Sequence, residues 1–203
     1  MSWTSFHSRG DTLRAVVEIV NTRRDGVLPM RLPGVPENFA DELDLVGALL
    51  LKWHARLLGN IEQALLHQPM DLEHAAASAW SETARQLPGV LLVIDRCTDE
   101  PVDEPMARAM ARSREREWIR LAYAAGLASA PGPLAVEAGR RVQETARAMI
   151  GSEPSAAPAA VEESAVQAPV PAQPQVAQPQ VAHTLSAHRG ESFVDRIRAA
   201  LVA

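Results

Sequence analysis

The chain has 203 residues, a formal net charge of −5, an apolar fraction of 47% and an aromatic fraction of 4%. A mildly acidic balance lacks the positive field that gathers phosphates, so nucleic acid is not the expected partner. Cys97 is the single cysteine, which excludes an internal disulfide framework and any zinc cluster built on thiolates.

No run approaches the roughly 18 uninterrupted apolar residues of a membrane span. The N-terminus lacks a basic stretch followed by an apolar one, so no signal peptide is expected and the location implied is cytoplasmic. Lys52 is the only lysine in a chain rich in arginine, a bias of GC-rich bacterial genomes. Abundant alanine and few aromatic residues favour close-packed helices over sheets. The expected fold class is all-α: a bundle of about five helices over residues 1–151, a disordered linker over 152–183 and a short amphipathic helix over 184–203.

In chain order, Leu13, Val16, Val17 and Val20 share one face of a helix expected to run from Asp11 to Arg24. Residues 27–36 carry Pro29, Pro33 and Pro36, which favour an extended connector. Its Val27, Leu28, Met30, Leu32 and Val35 are apolar enough to dock on the bundle surface. A long second helix follows, with Asn38 as its expected cap and Pro69 as its end. Leu43, Val46, Leu50, Trp53, Leu57 and Ala64 form its stripe, which Leu49, Leu58, Ile61 and Leu65 widen to a helix gripped on more than one side.

Asp71 is the expected cap of a third helix reaching Gln86. Val90–Ile94 fits a buried strand or a short helix. No second strand exists to pair with it and Pro88 suits a helix's first turn, so helix is preferred. Asp103 and Pro105 start the next helix, expected to reach about Ala128 with Met106, Met110, Trp118, Leu121 and Ala125 inward. A last helix, about Leu134 to Ile150, ends at Gly151.

Beyond Gly151 the composition changes to Pro, Ala and Gln, and Gln173–Ala177 repeats unchanged as 178–182. Such a segment has too little apolar surface to offset its ordering entropy. Large aliphatic side chains then return. Phe193, Val194, Ile197 and Leu201 lie at helical spacing behind Ser192, with Asp195, Arg196 and Arg198 on the other face. A dozen residues are marginal as a lone helix in water, so this one is expected to form against a partner.

Catalytic signatures do not emerge. The sequence has no Gly-x-Ser-x-Gly and no Gly-rich phosphate loop, and Cys97 has no nearby histidine. His54, Glu62, His67, Glu73 and His74 fall on two adjacent helices, yet no Glu-x-x-His or His-x-x-x-His occurs, so no metal or other cofactor is expected and these read as solvated or helix-end groups. Arg108, Arg112, Arg116 and Arg120 recur every fourth residue as a possible basic ridge, with Glu104, Glu115 and Glu117 interleaved to balance much of its charge. The sequence thus points to a non-enzymatic bacterial adaptor or regulator docking a protein partner through its C-terminal helix. The alternative is a metal- or small-ligand-binding protein or enzyme using the core of residues 1–151.

Overall fold

The structure, a computed structural model, describes residues 3–67 and 70–152, and side chains over 8–67 and 70–151. Among these residues there are seven helices and no strand: α1 (Trp3–Arg23), α2 (Val35–Asn38), α3 (Glu42–His67), α4 (Leu72–Gln86), α5 (Pro88–Asp99), α6 (Glu104–Ala124) and α7 (Pro133–Ser152). The all-α expectation holds, with more helices than the five expected.

Local chemistry sets most boundaries. The carboxylates of Asp71 and Asp103 accept from the backbone N–H groups of His74 at 3.0 Å and Met106 at 2.8 Å, as N-caps should. The cap of α3 is Asp41, which accepts from Asp44 N at 2.7 Å, and not Asn38. Asn38 instead closes α2, a single turn that Pro36 permits at its start. Its side-chain amide donates to Ser8 and Thr12 hydroxyls and to the Gly34 carbonyl, so it is used up anchoring the connector on α1. Helix α1 begins at Trp3, so Asp11 lies inside it and pairs with Arg14. Residues 90–94 are helical within α5, and Gly151 continues α7 instead of stopping it.

Helix α6 packs chiefly on α7, α3 on α4, α4 on α7 and α1 on α5. Two of these contacts bring backbones together. A Cβ on Gly139 of α7 would stand 1.8 Å from the Trp118 carbonyl oxygen, and one on Gly89 of α5 would stand 1.9 Å from that of Val20. Only glycine allows either approach.

The main core buries Val16, Val20, Leu45, Leu49, Trp53, Leu57, Trp80, Val90, Val93, Met106, Met110, Leu121 and Val142. Each such side chain contributes about 1.5–3 kcal/mol relative to exposure. A smaller cluster of Ala122, Ala135 and Ala138 lies between α6 and α7. The connector docks as expected except at Val27, which is exposed: Val35 is fully buried, and Leu28, Met30 and Leu32 pack against the core. Helix α5 lacks a side-chain cap of its own. Asn21 of α1 supplies one from a distance, its Oδ1 accepting from Gly89 N at 2.9 Å and Val90 N at 3.3 Å.

Candidate functional site

Along α6, Met106, Met110, Glu117 and Leu121 all turn inward and are buried. Three of these are ordinary core residues. Glu117 is a carboxylate in the middle of the bundle, and the surrounding helices converge on it. Its Oε2 accepts from the Trp53 indole N–H at 2.7 Å, and its Oε1 accepts from the Trp80 indole N–H at 2.9 Å and the Gln143 amide at 3.1 Å. Trp118 donates to Gln143 Oε1 at 2.8 Å, which turns the Gln143 NH2 toward Glu117. The Trp53 and Trp80 rings meet edge-on, centroids 5.6 Å apart at 72°. Helices α3, α4, α6 and α7 are therefore tied through one carboxyl group.

His54 completes the centre. Its Nε2 lies 3.2 Å from Glu117 Oε2, with only 16% of the side chain exposed. Nε2 is buried and has no other polar partner. An imidazole nitrogen this near a carboxylate is favourable when it carries the ring proton, which fixes Nε2–H as the group facing Glu117. This corrects the expectation that His54 is solvated: at position 54 it shares a face with Leu50, Leu57 and Ile61, not with Lys52 and Arg56. Burial pushes the Glu117 carboxyl up, but His54 and the two indole donors outweigh it and hold the group below the usual carboxylate range.

A carboxylate so occupied is a poor general base. It is held ionised, and its lone pairs are committed to fixed donors. Beside it lies a cleft of about 30 Å3, bordered by Ser113, Arg114, Gln143 and Arg147, enough for a water. Arg147 is not free to bind there. It forms a bidentate pair with Asp95 at 2.7 and 3.0 Å and lies 5.0 Å from the Trp80 ring centroid. Among the described residues no group of three or more His, Cys, Asp or Glu is arranged to hold a metal ion.

The basic ridge is divided by the fold. Arg108 pairs with Glu104 at 3.1 Å. Arg120 is half-buried, with its Nη1 enclosed and lacking a hydrogen-bond partner. Arg112 and Arg116 are exposed, and neither forms an ion pair among the described residues. The interleaved acids balance them only in part: Glu104 serves Arg108, Glu117 faces inward, and Glu115 is the i+3 neighbour of Arg112 without forming an ion pair with it, and lies about 100° round the helix from Arg116.

Next to that ridge, between α1, α3 and α6, runs an open groove of about 670 Å3. Gly10, Gly47, Ala48 and Ala109 are among its lining, together with Leu13, Leu43 and Leu51, and the Arg9–Asp44 pair at 2.6 Å stands at one end. Sequence reading missed this groove, because Leu51 lies outside the apolar stripe of its own helix.

Phe193, Val194, Ile197 and Leu201, like the linker, lie outside the described residues. No helix among the described residues is long and apolar enough to cross a membrane. No family model matches the chain, and neither a curated protein nor a solved structure does.

Proposed function

We propose that this chain is a non-enzymatic bacterial adaptor or regulator: a helical body carrying a tethered C-terminal segment that folds as a helix on a protein partner. The observation that carries this reading is the spacing of Phe193, Val194, Ile197 and Leu201, which follow residues 152–183, a stretch with no Leu, Ile, Met, Phe, Trp or Tyr. An apolar face on a segment too short to be helical alone needs a groove to cover it. The intervening chain acts as the tether, and tethering raises the effective concentration of the segment near anything the body meets. The body is compatible with such a role, since its buried carboxylate is engaged in joining four helices.

The test is affinity purification with mass spectrometry, comparing the full chain with a Phe193→Asp/Ile197→Asp variant of it. A partner recovered stoichiometrically with the first and lost with the second, and then bound directly by a peptide of residues 184–203, supports the proposal. An unchanged set of partners refutes it.

A further inference from the structure

The exposed face of α3 continues the groove described above. Leu51 is 71% exposed and Leu58 45%, and with Ala55 they form one stripe at 3–4 residue spacing. On α6, Arg112 and Arg116 follow the groove residue Ala109 by three and seven positions and so border this stripe. Lys52 and Arg56 lie on its other side, exposed and without an ion pair among the described residues. The result is an apolar groove, prolonged along α3 by Ala55 and Leu58 and flanked by two rows of cations without ion pairs among the described residues, on a chain whose net charge is −5.

We propose that this groove binds an acidic amphipathic helix from a partner protein. Leucine or similar side chains of that helix would cover Gly47, Ala48, Leu51 and Leu58, and carboxylates on its flanks would meet Arg112 and Arg116 on one side and Lys52 and Arg56 on the other. The chemistry selects this occupant over other anions. A nucleic acid strand would contact the cations but offers no aliphatic face for two exposed leucines. A lipid surface is met by a convex apolar face, whereas this one is a trough between helices. Helix-in-groove recognition needs both properties seen here, an apolar trough and charges at its rim that fix orientation. The site draws on none of residues 184–203, so the protein would carry two docking elements.

The experiment uses the full chain and a labelled synthetic peptide of about 18 residues, five turns, with leucine at helical spacing and glutamate on both flanks. Fluorescence anisotropy should show saturable binding that weakens with added salt. Arg112→Glu/Arg116→Glu should weaken it by tenfold or more, and Leu51→Glu should do the same. Circular dichroism is recorded on each variant; these positions are exposed, and the arginine pair decides the matter if Leu51→Glu alters the fold. A peptide with lysine in place of glutamate should fail to bind. Phe193→Asp/Ile197→Asp should leave peptide binding unchanged, which separates this site from the proposed tail function. The proposal is overturned if the acidic peptide does not bind at millimolar concentration, if both peptides bind alike, or if the arginine variant binds as the unmodified chain does. It is also overturned if phosphatidylserine vesicles or single-stranded DNA bind this face and the peptide does not.

Discussion

Replacing Glu117 by glutamine keeps its size and removes its charge. The amide then has one acceptor oxygen where the carboxylate has two. If that oxygen stays toward Trp80 and Gln143, the new NH2 faces the Trp53 indole N–H, which donates to Oε2 at 2.7 Å, and a buried donor is left without an acceptor. The opposite orientation strands Trp80 and disturbs the Trp118–Gln143 bond as well. An orphaned buried donor costs about 1–3 kcal/mol, and the remaining bonds lose their charge-assisted strength, about 1 kcal/mol each. The charged oxygen 3.2 Å from His54 Nε2 is lost besides. The expected total is about 3–5 kcal/mol, the range for breaking a buried pair. Against a domain stability of about 5–15 kcal/mol that is a large fraction. In urea, with a slope of about 2 kcal/mol per molar, the midpoint should fall by about 1.5–2.5 M. Far-UV circular dichroism should be followed beside tryptophan fluorescence, because the substitution itself alters the indole environment. A loss below about 1 kcal/mol would show that Glu117 does not organise the bundle.

Acid titration tests the same centre. Glu117 lies below its ordinary value in the folded state, so its contribution is present above the unfolded value of about 4.3 and is lost as pH falls through the folded value. The unmodified protein should lose stability as pH falls below about 5, and Glu117→Gln should show a flatter profile in the same urea series. Gly139→Ala should destabilise by about 1–3 kcal/mol or more, since the added methyl meets a backbone carbonyl and not a yielding side chain; thermal melts report the loss. Gly10→Ala, where nothing lies within 4 Å, is its matched control and should be neutral or slightly stabilising. Cys97 is buried and burial pushes its thiol up, so a disulfide reagent should label it slowly in the native protein and rapidly in denaturant.

What could be read from the sequence follows the range of the interactions. Asp71 and Asp103 were legible as caps because a cap acts within three residues. The core stripes of α3 and α6 were mostly legible because periodicity is local, but Leu58, expected in the α3 stripe, is exposed, and Leu45, outside it, is fully buried. Asn38 misled for the reason that it is a good cap: its amide was claimed by α1 residues 26 and 30 positions away. The Glu117 centre depends on Trp53 and Trp80, 64 and 37 residues distant, and no local pattern encodes such a partnership. A signal did exist, since Glu117 falls seven residues after Met110 and four before Leu121, on the face of α6 that Met110 and Leu121 define. A charged residue in the middle of an apolar face marks a buried polar centre, and reading the ridge only as a charge run conceals it. The groove could not be foreseen, because a trough depends on how α1, α3 and α6 are placed and not on any one of them.

The long-range cap on α5 has a consequence for how the body comes apart. Helices α3, α4 and α6 close their first turn with the aspartate just before them, but α5 does so with Asn21, 68 residues earlier. The amide protons of Gly89 and Val90 are therefore shielded only while the C-terminal half of α1 is in place. At the same spot, the absence of a Cβ on Gly89 lets the two backbones touch. Opening α1 would unlatch α5 in the same event, so hydrogen exchange should find these two helices, far apart along the chain, released as a single cooperative unit.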